Sequence, residues 1–235
     1  MGTYYNPQIV SSNLAFAIDF SNVKSIDGTT LTDMSNKKIP TTLTNSGSAT
    51  LTITGGYADF LPANVNSTAT YYTISNTYFN DIKSEVTAEV AMYVYGDFSV
   101  SQSQRGLSSR TTETNAPWGF AILSNGIATE LNTTTGWNTA VTTTALSGFN
   151  KWIIVTQKTS VISGTMDTFI NGQLVRSQSF TGTPNGGNGI LIGRGFYGGT
   201  MNFNGRIGYV RVYDRALTTE EIRENFNAMR GRYGI

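Results

Sequence analysis

Apolar residues recur along the chain in short runs rich in β-branched and aromatic side chains. Leu14–Asp19, Thr50–Thr54, Tyr71–Ile74, Glu85–Tyr95 and Trp118–Leu123 are such runs. Lys151–Gln157, Asp167–Ile170, Gln173–Phe180 and Gly189–Gly193 follow, and Gly, Asn, Pro and Ser clusters separate them. The pattern predicts many short strands. The run Glu85–Tyr95 alternates. It sends Val86, Ala88, Val90 and Met92 to a core and leaves Glu85, Thr87 and Glu89 on an outer face. Asn171-Gly172 stands between Phe169-Ile170 and Gln173-Leu174, and Asn-Gly supplies both positive-φ positions of a type I′ hairpin turn. The Thr- and Asn-rich segment Asp27–Gly56 reads as a long loop region with short strands. Trp152 is assigned to the core.

The period changes once, after the β-like stretch Gly205–Tyr213. Ile222, Phe226 and Met229 fall at i, i+4 and i+7 and make one helical stripe. Thr218 and Glu221 have the spacing of a capping box, and Leu217 with Ile222 that of a hydrophobic staple. Gly231 is the expected C-terminal cap, with Arg223 and Arg230 toward the negative end of the dipole. Together the elements predict an all-β sandwich or jelly roll with one short C-terminal helix. A single domain is expected over 1–235, with an N-terminal arm at 1–12 and a C-terminal helix and tail at 218–235.

Composition narrows the chemistry. Charged residues are 13% of the chain, about half the usual ~25%, and Thr, Ser, Asn and Gly take their place. Net charge is +1. Residues 1–140 hold six Lys/Arg and ten Asp/Glu, net −4, and residues 141–235 hold ten and five, net +5. The basic residues are scattered and read as a solvated face, so no nucleic acid is expected. There is no cysteine and no histidine. That excludes thiol nucleophiles, disulfides, zinc sites built on those residues and a Ser-His-Asp triad. The longest apolar runs are of the "WIIV" kind, so no membrane span and no signal peptide is expected.

The residues Lys151-Trp152-Ile153-Ile154-Val155, Phe169-Ile170-Asn171-Gly172 and Ile190-Leu191-Ile192-Gly193 form a series. Gly205-Arg206-Ile207, Val212-Tyr213-Asp214-Arg215-Ala216-Leu217 and Glu220-Glu221-Ile222 complete it. This series resembles the concanavalin A-like, laminin-G-like jelly roll, and Ala17–Ser35 is similar to that family's opening. The ends "NPQIV" (Asn6–Val10) and "NFNAMRGRYGI" (Asn225–Ile235) resemble laminin-G-like structural proteins of tailed bacteriophages. That likeness implies a non-enzymatic virion component, as head decoration or tail-attached, which places the protein in the virion. Its partners would be capsid or tail proteins and further copies of itself. It also implies that the tail after the helix is available for contacts outside the domain.

Two alternatives come with the fold. One is a carbohydrate-binding, lectin-like host-receptor module, in which aromatic rings meet sugar faces and amides meet hydroxyls. The candidate residues are Trp118, Trp137, Phe196, Tyr197 and Asn202, with Trp137 expected in a loop. The plainer reading is that these rings belong to the core or to a subunit interface. The other alternative is a glycoside hydrolase. Jelly-roll glucanases carry ExDxE on one strand, whereas here Thr87 stands between Glu85 and Glu89. Four residues along a strand span about 13 Å, too far for a hydrolase pair. Relatives of the fold bind calcium at the sandwich rim. Asp97 and Asp167 are candidates, but no dense carboxylate cluster surrounds them, so no cofactor or metal is expected. Gly193, Gly195 and Gly198 match GxGxxG but precede no helix, which a dinucleotide site needs. The sequons at Asn66 and Asn132 are expected by chance in so Asn- and Thr-rich a chain.

Overall fold

The computed structural model describes residues 8–45, 51–60, 70–95, 104–109, 118–123, 126–142, 150–187, 189–195 and 201–235. In chain order they form β1 (Leu14–Asp19), β2 (Ile26–Asp27), β3 (Thr30–Leu31), β4 (Thr42–Asn45), β5 (Leu51–Thr54) and β6 (Tyr57–Phe60). Next come β7 (Thr70–Ser75), β8 (Glu85–Val94), β9 (Gln104–Ser108), β10 (Gly119–Leu123), β11 (Gly126–Thr133) and β12 (Gly136–Thr142). Last are β13 (Trp152–Ser160), β14 (Thr165–Ile170), β15 (Gln173–Ser179), β16 (Gly189–Ile192), β17 (Gly205–Tyr213) and the helix α1 (Thr219–Tyr233).

Two antiparallel sheets carry the fold. The first runs β15-β14-β13-β8-β17-β6-β5. The long strand β17 pairs with β6 through its first residues and with β1 through its last. The second runs β12-β11-β10-β9-β16-β7-β4. Val86, Ala88, Val90 and Met92 point from β8 into the space between the sheets, as the alternation predicts. There they join Tyr72, Phe120, Ile122, Ile190 and Ile192 of the second sheet. Part of the interior is polar and is cross-linked between the sheets. The Gly119 N–H donates to Gln157 Oε1 at 3.2 Å, and Gln157 Nε2 donates to the Glu130 carbonyl at 3.0 Å. The Thr129 and Thr168 hydroxyls are 2.6 Å apart. Buried polar groups are tolerated when bonded in this way.

The sandwich with one helix is as expected, and the Asn171-Gly172 turn has φ of 50° and 72°. Strands β6, β9, β11 and β12 were not expected. The Thr, Asn and Gly content of β11 and β12 reads as loop, although threonine favours a pleated surface. Trp137 therefore lies on β12 and not in a loop.

The helix covers the outer face of the first sheet. Its N-terminus has the predicted capping box: Glu221 N–H donates to Thr218 Oγ1 at 3.2 Å, and Thr218 N–H to Glu221 Oε2 at 2.9 Å. Ile222 packs with Leu217, Phe169 and Tyr213, while Met229 and Tyr233 pack with Ala91, Ile154 and Tyr209. The end differs from expectation. The helix runs through Gly231 to Tyr233, and Gly234, at φ 67°, is the cap. Tyr233 continues the stripe by one more turn, so the expected free tail is docked. Trp152 is also displaced from its expected place. It is half-buried on the outer face, with its ring 4.6 Å from that of Tyr233. The positions Ile153 and Val155 take the core side of β13.

Candidate functional site

The carboxylates on β8 are engaged within the fold. Glu89 is fully buried beneath α1. Its Oε1 is 3.1 Å from Arg211 Nη1, and its Oε2 accepts from Thr156 Oγ1 at 3.2 Å. The outer face expected for Glu89 is thus not a solvent face, because the helix closes it. Glu85 accepts from Ser160 Oγ at 3.1 Å and from the Ile162 N–H at 3.0 Å. Thr87 binds the chain leading into α1, accepting from Leu217 N–H at 2.9 Å and donating to the Arg215 carbonyl at 3.0 Å.

Among the described residues, Trp137 is the expected ligand residue that the structure presents to solvent, 44% exposed on β12. Its register partner across the β11–β12 hairpin is Asn132, so both side chains share the outer face of the second sheet. The hairpin is pinned from the side by residues 181–185. Thr134 N–H donates to the Thr183 carbonyl at 2.9 Å, and Thr183 N–H returns to Thr134 Oγ1 at 3.1 Å. Thr135 Oγ1 donates to the Thr181 carbonyl at 2.8 Å. Asn185 Nδ2 donates to Asn132 Oδ1 at 2.6 Å, and Asn185 N–H donates to the Asn132 carbonyl at 2.9 Å. No charged residue occurs in 131–150 or in 177–193. The result is an indole on a bed of hydroxyls and amides, with Glu130, paired to Arg105 at 2.8 Å, farther along the same face of β11. Such a surface can stack on a sugar ring and exchange hydrogen bonds with its hydroxyls.

The other expected ligand residues are not gathered there. Trp118 is 1% exposed and sits in the sandwich core. Asn202 is 2% exposed in a bridge opposite Arg194, beyond β11, β10 and β9 from Trp137. Phe196 and Tyr197 lie outside the described residues, as do Asp97, Asn66 and Gly198. Asp167 is occupied by Lys158 Nζ at 2.8 Å and Ser177 Oγ at 2.6 Å. The Gly193 carbonyl accepts from Phe203 N–H at 3.0 Å, and the Gly195 N–H donates to the Met201 carbonyl at 2.9 Å. The sequon residue Asn132 is buried in its bond to Asn185.

A second aromatic surface escaped the sequence reading. The register of β6, β17, β8 and β13 puts Asp59, Arg206, Tyr93 and Trp152 in one row across the outer face of the first sheet. Tyr57 and Tyr95 flank the row. The Arg206 guanidinium lies 4.5 Å from the Tyr57 ring centre and 5.4 Å from those of Tyr93 and Tyr95. Trp152 meets Tyr57 at 5.9 Å and Tyr93 at 5.7 Å. Tyr95 Oη donates to Asp59 at 2.9 Å. Burial, and then the carboxylate beside it, push that phenol up to about 12, so it remains a donor at neutral pH. All six residues are half-buried. The available signal was tyrosine on alternate strand positions, Tyr93 and Tyr95. The row itself needs strands distant in sequence.

Solved structures show the same fold. The binding domain of botulinum neurotoxin DC in complex with rat synaptotagmin II aligns with a TM-score of 0.71 at 17% identity, over 93% of this chain and 52% of that one. The same neurotoxin binding domain in complex with SialylT aligns with a TM-score of 0.71 at 16% identity, over 94% and 52%. Botulinum neurotoxin type C, whose cell entry is described as dependent on two ganglioside molecules, aligns at 0.70 and 15%, over 93% and 52%. The chain thus spans about half the length of these neurotoxin chains, and identities this low establish fold alone. No curated protein sequence matches the chain. The laminin G-type family model described as concanavalin A-like lectin/glucanases superfamily matches residues 66–223, and the chain belongs to that superfamily.

Proposed function

We propose that the chain is a non-catalytic glycan-binding module. The observation that carries this reading is Trp137, a half-exposed indole on a hairpin that residues 181–185 hold within a hydroxyl- and amide-rich surface. A hairpin held before the ligand arrives loses little freedom on binding. The non-catalytic part is supported by the use of Glu85 and Glu89, whose oxygens serve hydrogen bonds and an ion pair within the fold. A glycan array with the wild-type protein and Trp137→Ala is the test. Signal that disappears in the variant is expected, and an array that stays flat with and without calcium would sink the reading.

The setting we propose is the virion of a tailed bacteriophage, with the module as head decoration or attached to the tail. The likeness of Asn6–Val10 and Asn225–Ile235 to phage laminin-G-like proteins favours it. Quantitative mass spectrometry of purified particles decides this setting. A simple ratio to the capsid subunit is expected for decoration and a small multiple for a tail position. Absence from the particles would remove the setting and leave the glycan reading standing.

A further inference from the structure

The row around Arg206 lies on the sheet opposite Trp137, and nothing in the glycan reading uses it. Five arginines stand in ion pairs among the described residues: Arg105, Arg206, Arg211, Arg215 and Arg232. Four of them direct an Nη group to the carboxylate. Arg206 uses Nε alone, at 3.3 Å from Asp59 Oδ2. Its two Nη groups make no hydrogen bond among the described residues. The guanidinium is nevertheless fixed. Tyr57, Tyr93 and Tyr95 surround it, and Tyr95 Oη holds Asp59 in place. Side-chain entropy that binding would otherwise remove is already lost in the fold.

A planar guanidinium held in this way offers two donors of the spacing that suits a carboxylate. The surrounding rings suit a second kind of contact. Trp152, Tyr57 and Tyr93 give apolar faces beside the charge, and the Tyr57 and Tyr93 hydroxyls have no hydrogen-bond partner among the described residues. A carboxylate attached to a hydroxylated ring satisfies both at once. An acidic peptide side chain would satisfy the first and leave the rings uncovered. We propose that this row is a second ligand site that takes a carboxylate-bearing saccharide. The acid group accepts from both Nη groups of Arg206, and the sugar ring lies against the Trp152–Tyr93 face.

The full chain is titrated calorimetrically with a panel of uronic-acid oligosaccharides and with the same oligosaccharides after reduction of the carboxyl to the alcohol. The acidic members bind, and reduction weakens binding by about tenfold or more, the worth of a charge-assisted pair. Arg206→Lys, which keeps the charge but not the fork, brings a loss of similar size. Trp137→Ala leaves the titration unchanged. In the wild-type protein the Arg206 Nε resonance shifts on adding the acidic ligand, a readout that needs no variant to fold. Equal binding of the reduced oligosaccharides, no binding of any acidic member, or loss of acidic binding in Trp137→Ala would each overturn the site. Equal or tighter binding of a polyglutamate peptide would make the surface a protein interface and overturn the saccharide assignment. Neutral glycan signal that depends on Trp137 survives every one of these results, so the two readings fail separately.

Discussion

Glu89 and Arg211 are cross-strand neighbours on β8 and β17, and their ion pair of 3.1 Å is shut beneath the C-terminal helix. Burial pushes the Glu89 carboxyl up toward its neutral form, while Arg211 draws it back. Arg211 also stacks 4.1 Å from the Tyr209 ring centre and reaches Met229 Sδ at 3.1 Å. A pair in such a place is strongly interdependent. Glu89→Leu or Arg211→Met alone leaves one uncompensated buried charge and is expected to cost about 3–5 kcal/mol. The double variant is expected to regain most of that loss. Urea denaturation of the four proteins checks it, and additive losses would show that the pair is not coupled.

The helix start should respond to acid. Arg215 binds Glu221 through both Nη groups, at 2.6 and 2.7 Å, and this bond holds the Glu221 carboxyl below the usual range. A carboxyl lowered in the folded state stabilises it above the unfolded value, near 4.5. That stability is lost as pH falls through the folded value. Glu221→Gln is therefore expected to be less stable than the wild-type protein by about 1 kcal/mol at pH 7. The gap should be smaller at pH 3 than at pH 7, because protonation of Glu221 weakens the bond. Denaturation midpoints at the two pH values measure it, and a gap that stays constant contradicts the assignment.

Gly208 makes room for the last turn of the helix. A Cβ there would stand 2.2 Å from Tyr233 Oη and 2.7 Å from its ring. Gly208→Ala is expected to push Tyr233 away from Trp152 and to cost about 1–3 kcal/mol. In a Tyr233→Ala background the same change should cost little, because the two sites share one contact. Equal costs in both backgrounds would place the strain elsewhere.

The two tryptophans expected together in a ligand site should part company in stability. Trp118→Ala removes a ring buried in the sandwich core and is expected to cost about 3–5 kcal/mol. Trp137→Ala trims an exposed ring on an edge strand and should change stability by about 0.5 kcal/mol or less. A large thermal shift in Trp137→Ala would mean that the ring supports the hairpin rather than a ligand.

What could be read beforehand follows from how local each signal is. Leu14–Asp19, the Asn171-Gly172 turn and the Thr218 cap are each fixed by a few adjacent residues, and each stands as read. The helix end was misplaced because Gly231 is a valid stop by local rules. A glycine inside a helix costs only about 1 kcal/mol, and the contact of Tyr233 with Trp152 lies outside any local window. Strands β11 and β12 were hidden by their threonines and asparagines, whose hydrogen bonds to residues 181–185 mark them as sheet only after folding. The Trp137 surface was therefore half visible, as a ring without its bed. The Arg206 row was invisible, since its members come from four strands spread over residues 57 to 206.

The segment before β1 and the end of β1 are fastened to the helix and to the chain leading into it. Val10 N–H donates to Asn225 Oδ1 at 2.8 Å, Arg215 Nη2 to Ser12 Oγ at 2.7 Å, and Arg232 Nη1 to Asp19 at 2.8 Å. Tyr213 Oη donates to the Val10 carbonyl at 3.1 Å. In mechanical terms this is a clasp. Tension applied between residue 8 and residue 235 passes first through these few polar bonds and the helix–sheet contact. The clasp is expected to give way before the inner strands feel the pull, and its loss would take Tyr233 away from Trp152 while the β11–β12 hairpin under Trp137 is left in place.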